Sequence, residues 1–240
     1  MTDRFVRQAS LVPADKLATH HIYVVGCGAV GRQVGLFLAS MGAKKVTLFD
    51  FDIVEDVNIT TQGYRPAQLG MYKVDALKAD MHAIDPSIEI TTHARRWRDD
   101  DTLGTAAFMC VDRISVRQFI WGKVVASGDV PEFLGDARTL GEIGKVVCVG
   151  GPELEPGKEH YGNSFFREED AEQGLCTARL TIYSAAIAAG MLCHQFTRHL
   201  RDIPLDHEVQ WSLLASMMDV PQPKVGQNAQ PEVENAQPVA

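Results

Sequence analysis

Three stretches of the sequence carry residue types that chemistry needs. The first is Gly26-Cys27-Gly28-Ala29-Val30-Gly31, a G-x-G-x-x-G run. Glycines at these positions permit a tight turn and close approach of backbone to phosphate. A helix opening directly after them offers free N–H groups and a positive dipole end. The second is LFDFDIVEDVNITTQGY, from Leu48 to Tyr64. Its Asp50 lies 19 residues beyond Gly31, where an acid binds ribose hydroxyls in nucleotide folds. Asp52 follows two residues on, where the apolar run gives way to the polar loop. The third is QGLCTARLTIYSAAIAAG, in which Cys176 precedes an apolar, small-residue helix. A thiol at a helix N-terminus has a lowered pKa and is a better nucleophile. The first two stretches point to an adenine nucleotide. They do not say which, because a nicotinamide dehydrogenase carries the same fingerprint.

These residues need elements to hold them. HIYVVG, from His21 to Gly26, reads as a buried strand ending in glycine. The glycine run then opens a helix closed by Gly42. KKVTLFDFD is a second strand, followed by a polar loop and a helix in GMYKVDALKADMHAID. SIEITTHA and TAAFMCVD are further strands, RISVRQFIWGKVVASG is a helix, and VPEFLGDAR and GKVVCVGG are two more strands. This rhythm predicts an α/β fold, a Rossmann-like, doubly wound, mostly parallel sheet flanked by helices. Residues 1–19 read as an N-terminal helical arm broken at Pro13. Residues 151–175 read as a long polar loop of the kind that is often functional. HEVQWSLLASMM is a shorter ordered segment. The Pro-, Gln- and Asn-rich tail over 220–240 reads as disordered, which leaves 1–219 as one domain.

Bulk properties narrow the function. The net charge of -8 argues against a general nucleic-acid binder, since phosphate neutralisation needs a basic surface. The polar start MTDRFVRQ is no secretory signal, and the apolar stretch Leu180–Cys193 is too short to span a bilayer. A cytoplasmic protein is expected. The five cysteines form no C-x-x-C pair, so neither a disulfide framework nor a structural zinc knuckle is expected.

The ordered motifs resemble the ThiF/MoeB/HesA family of adenylyltransferases, whose fold is shared by ubiquitin-activating enzymes. Arg4-Phe5-Val6-Arg7-Gln8 matches the family's R-[YF]-x-R-Q, and Asp50-Phe51-Asp52-Ile53-Val54 its D-x-D-x-V. Asn58 and Gln62 match two members of the loop that follows, and Gly70-Met71-Tyr72-Lys73 its G-x-x-K step. Met109-Cys110-Val111-Asp112, with Arg117 after it, resembles its acid-ended strand. The resemblance implies ATP-dependent adenylation of a C-terminal carboxylate, usually that of a ubiquitin-like or sulfur-carrier protein ending in Gly-Gly. It implies that Gly26, Gly28, Ala29 and Gly31 cradle the nucleotide and that Asp50 takes the ribose. Lys73 would meet the phosphates, Asp112 would hold magnesium, and Arg7 would reach into the site of a homodimer partner. Each residue has a plainer reading. Lys73 fits a solvated helix face, Asp112 a helix cap, Arg7 an exposed arm, and Asp52 a loop brace.

Two features stand apart from the family pattern. The family's loop arginine falls at Thr61, and Arg65 is the substitute cation if the loop folds back. Relatives often pass the acyl group to a cysteine, and here the candidate is Cys176, with an incidental thiol as the alternative. Cys110, Cys148 and Cys193 read as core, and Cys27 sits in the glycine loop. Adenylation of a peptide or tRNA, a nucleotide-binding scaffold without catalysis, and an NAD-dependent oxidoreductase remain the competing functions. The last lacks a recognisable substrate domain.

Overall fold

The computed structural model describes residues 4–151, 154–166 and 180–221. The elements run α1 (Ala14–Thr19), β1 (His21–Val25), α2 (Ala29–Met41), β2 (Lys45–Phe49), α3 (Asp56–Gln62), α4 (Lys73–Ile84), β3 (Glu89–His93) and β4 (Ala106–Met109). They continue with α5 (Ile114–Ser127), β5 (Phe133–Leu140), β6 (Ile143–Gly150), α6 (Leu154–Asn163), α7 (Ile182–Leu200), β7 (Glu208–Ser212) and β8 (Met217–Asp219). The strands form one sheet in the order β3-β2-β1-β4-β5-β6-β7-β8. The β3-to-β5 half is parallel and the β5-to-β8 half antiparallel. The expected α/β, doubly wound architecture is present.

The alternation of strand side chains builds two core layers. Ile22 and Val24 of β1, Ala106 and Phe108 of β4 and Phe133 of β5 face α2, α4 and α7. Val25, Ala107, Met109 and Leu134 face Ile120, Trp121 and Val124 of α5 and Tyr161 of α6. β1 is hydrogen-bonded to β2 on one side and to β4 on the other. Connections therefore leave in opposite directions at the carboxyl ends of β1 and β4, which is where such sheets open a ligand crevice.

Four expectations are changed or sharpened. Residues 56–62, read as loop, form the helix α3, begun by Glu55, whose N–H donates to Asn58 Oδ1 at 2.8 Å. The 151–175 segment is not all loop, because α6 occupies Leu154–Asn163. HEVQWSLLASMM is a hairpin of β7 and β8. The arm is helical only over α1; residues 4–11 are a chain of turns. Cys176 and the tail from 222 onward lie outside the described residues.

One buried ionic group ties the second layer together. Asp136 of β5 is fully buried and accepts from Arg117 Nε at 2.7 Å, Arg138 Nε at 2.8 Å and the Tyr161 hydroxyl at 3.2 Å. Burial opposes the Arg117 charge, but Asp136 outweighs it and raises the guanidinium pKa. Arg138 also donates to the Ser164 carbonyl and hydroxyl, so α6 is pinned to the sheet. Removing the acid leaves two guanidinium groups unpaired under α6 and α5. Asp136→Ala is expected to cost about 3–5 kcal/mol of stability, read from the shift in the urea midpoint.

Candidate nucleotide site

The site starts from backbone. Gly26 ends β1 with φ +94°, in the left-handed region, and its N–H donates to the Phe49 carbonyl at 2.8 Å. A Cβ at Gly31 would sit 1.8 Å from the Gly26 carbonyl oxygen, so no other residue fits there. That contact folds the loop back and starts α2 at Ala29. Gly28 precedes the helix with no side-chain cap, and the first turn of α2 carries no acid. A Cβ at Gly28 would meet nothing within 4 Å. The loop thus presents uncapped N–H groups at the positive end of a 13-residue helix to open space.

Asp50 closes the back of this loop. Its Oδ2 accepts the Cys27 N–H at 2.6 Å and its Oδ1 the Asp52 N–H at 2.9 Å. Burial raises its pKa, against the pull of these two amides. A carboxylate oxygen has a second lone pair, so both oxygens can still accept a ribose hydroxyl.

Asp52 braces more than a loop: its Oδ2 pairs with Lys73 Nζ at 2.9 Å. The pairing follows from backbone, since Lys73 N–H donates to the Asp52 carbonyl and Val54 N–H to the Met71 carbonyl. Lys73 is only 5% exposed, which removes the reading of a solvated charge. Tyr64, which sequence reasoning passed over, joins the same corner. Its buried hydroxyl donates to the Cys27 carbonyl at 2.7 Å and lies 3.3 Å from that of Lys73. Asp112 follows β4, whose end is tied to β1 by the Cys110 N–H on the Val25 carbonyl at 2.8 Å. Its carboxylate is exposed and has no protein partner among the described residues. It is not the N-cap residue of α5, which is Arg113, and the Arg113 side chain makes no capping bond.

The residues of the 58–65 stretch take other duties. Asn58 spends its carbonyl oxygen on the start of α3. The Thr61 hydroxyl donates to the Val57 carbonyl at 2.8 Å, within the helix. Gln62 Oε1 is buried with no hydrogen-bond partner among the described residues. Arg65 is drawn away to Asp80, two turns along α4 from Lys73. Asp80 also takes Arg32 Nη2 at 2.8 Å and Gln68 Nε2 at 3.0 Å. Arg32 lies over the Tyr64 ring at 5.0 Å. The signal for this group was the charged Asp80 on the buried side of α4, seven residues after Lys73.

Arg7 is at the other end of α2. Phe5 packs on Gly42, and Gln8 Nε2 donates to the Ser40 and Met41 carbonyls at 3.2 Å. With a rise of about 1.5 Å per residue, α2 holds Arg7 roughly 20 Å from the loop of its own chain. The structure therefore brings Gly26–Gly31, Asp50, Asp52 and Lys73 together, sets Asp112 two residues past the Cys110 that lies against Gly26, and holds Arg7 and Arg65 elsewhere.

Burial pushes the thiols of Cys27, Cys110 and Cys148 far up and that of Cys193 up to about 12. Cys27, Cys148 and Cys193 are also closed off from solvent, while Cys110 is half-buried. Brief treatment of the native protein with iodoacetamide at pH 7.5 is expected to leave Cys27, Cys148 and Cys193 unlabelled, with full labelling after denaturation, as read by peptide mass spectrometry.

The ThiF family model matches residues 4–234. "Ubiquitin-like modifier-activating enzyme 5" of Rattus norvegicus is 34% identical over 79 residues, covering 33% of this chain and 20% of the relative. The protein of that name in Drosophila melanogaster is 39% identical over 72 residues, covering 30% and 18%. The matched stretch thus spans about a fifth of these relatives' length. Among solved structures, E. coli MccB with ATP superposes with a TM-score of 0.67 at 18% identity, covering 91% of this chain and 71% of that one. PaaA superposes with a TM-score of 0.68 at 18% identity, covering 90% and 68%. At that identity the likeness is one of fold.

Proposed function

The chain belongs to the ThiF family, and on that premise we propose that it is an ATP-dependent adenylyltransferase acting on the C-terminal carboxylate of a ubiquitin-like or sulfur-carrier protein. The carrying observation is the placement of an uncapped glycine loop, Asp50, buried Lys73 and exposed Asp112 at the carboxyl ends of β1, β2 and β4. In the reaction a carboxylate oxygen of the substrate attacks the α-phosphorus of ATP. The bond to the β-phosphate oxygen breaks, pyrophosphate leaves, and an acyl-adenylate stays.

The residues divide the work. The loop amides and α2 hold phosphate oxygens, and Asp50 holds the ribose. Lys73 is a point charge for the leaving phosphates. Its pairing with Asp52 offsets the cost of burying it, and Asp52, about half exposed, can be left to solvent when phosphate takes its place. Asp112 supplies the hard oxygen donor that magnesium favours, and the ion would neutralise phosphate charge. Arg7 acts across a homodimer, since its own site is out of reach. Cys176 is the candidate acceptor if the acyl group moves to a thiol.

A peptide substrate is the second reading. MccB is a structural neighbour, and one of its crystal structures contains MccA with a nucleotide analogue. The chain that binds ATP without catalysis is the third, favoured by Thr61 and by Arg65 being held on Asp80.

ATP–pyrophosphate exchange tests the reading, run with and without a Gly-Gly protein and a peptide carboxylate. Lys73→Met and Asp112→Asn are each expected to lower exchange about 10²–10³-fold with the fold intact by circular dichroism. ATP binding with no exchange for any carboxylate supports the scaffold instead. Mixing inactive Arg7→Ala and Lys73→Met proteins is expected to restore about a quarter of the activity, since random two-fold pairing leaves one complete site in half of the dimers. No recovery assigns Arg7 no role across the dimer.

A further inference from the structure

A second set of ligand-type side chains lies at the opposite end of the sheet from the nucleotide loop. His20 joins α1 to β1, Glu132 directly precedes β5, and His199 is in the last turn of α7. One ring nitrogen of each histidine and one Glu132 carboxylate oxygen all lie within 4.8 Å of one another. These three residues come from positions far apart in sequence, and the fold alone brings them together.

The two rings are held rather than free. His20 is 6% exposed and packs edge-on against Phe196, with centroids 5.4 Å apart. His199 lies against Phe133 at 5.7 Å, and the two imidazoles are 5.6 Å apart. His20 Nδ1 is 3.0 Å from Thr105 Oγ1. That hydroxyl can accept an Nδ1–H, which leaves the Nε2 lone pair free, the arrangement of a metal-ligating histidine with its outer partner. His199 Nδ1 is buried with no hydrogen-bond partner among the described residues. The protein thus satisfies only part of this ring pair, and Glu132, an exposed acid, stands beside it.

We propose that His20, Glu132 and His199 bind a divalent transition metal of the zinc class, with water completing the coordination. Two imidazole nitrogens and one carboxylate are the donors zinc accepts, whereas magnesium takes an oxygen shell. The metal ties the amino ends of β1 and β5 to the end of α7. It is a structural tie, separate from the adenylation site and from any C-x-x-C zinc, which this sequence cannot form.

The full chain, stripped with chelator, is titrated with zinc by calorimetry and with Co²⁺ by visible absorption. One zinc per chain and a tetrahedral Co²⁺ band are expected. At a hundredfold excess over Kd the Tm is expected to rise by roughly 5–10 °C. Glu132→Gln and His199→Asn each weaken binding, and Thr105→Val weakens it about 10–100-fold through His20. ATP binding is unchanged in all three. If His199→Asn does not fold, the exposed Glu132→Gln carries the comparison. No saturable binding at micromolar zinc overturns the proposal. So does binding of unchanged affinity in Glu132→Gln and Thr105→Val, which would place the metal elsewhere.

Discussion

The site depends on one place where there is no room for a side chain. The α-carbon of Gly31 lies so close to the Gly26 carbonyl that a methyl group would overlap it. This contact sets where α2 begins and which way its first N–H groups point. Gly26 in turn sits against the Cys110 carbonyl, so the loop is wedged between the ends of β1 and β4. Asp50 and Tyr64 then fix the loop from behind, one through the Cys27 N–H and the other through the Cys27 carbonyl. The two polar groups of a single residue are held from two separate strands of chain. A phosphate-binding surface made of backbone has little choice of side chain to tune it, and its precision comes from these neighbours.

Around this frame the cations are each assigned a carboxylate. Lys73 has Asp52, Arg32 and Arg65 share Asp80, and Arg117 and Arg138 share Asp136. The pairs differ in what surrounds them. Asp136 is sealed in the core, where losing either partner is costly, so that group is architectural. Asp52 is half exposed, so the pair it makes with Lys73 can open at small cost once another anion is present. Burial thus separates charges that hold the fold from charges that can be reassigned to a ligand.

The parallel half of the fold was legible chiefly because β1, β2 and β4 are runs of β-branched or apolar residues followed closely by glycine or aspartate. The glycine loop and the acid at the end of β2 were legible for the same reason, since spacing alone specifies them. Two helices were not. In α3 the residues Val57, Asn58, Thr60 and Thr61 are poor helix formers, and the bond from the Glu55 N–H to Asn58 starts the helix. In α6 a polar sequence containing Pro156 and Gly157 is held by Tyr161 and by Arg138 through Ser164, contacts that no local pattern encodes. The fate of Arg65 was hidden in the same way: its partner Asp80 is 15 residues on, and the packing of the turn at residues 66–68 on α4, through Gln68, puts them together. The His20–Glu132–His199 group was invisible to motif spacing, because its members are separated by more than sixty residues.

Helix α2 has a further consequence. Its amino end forms the phosphate surface, and its carboxyl end carries the arm through Phe5 and Gln8. A helix of this length is stiff along its axis, and one of its middle residues, Gly35, lies tight against Leu77 and Met81 of α4. The phosphate surface and the residues that hold the arm are thus fixed to the two ends of one rigid rod, and the length of α2 sets the distance between them.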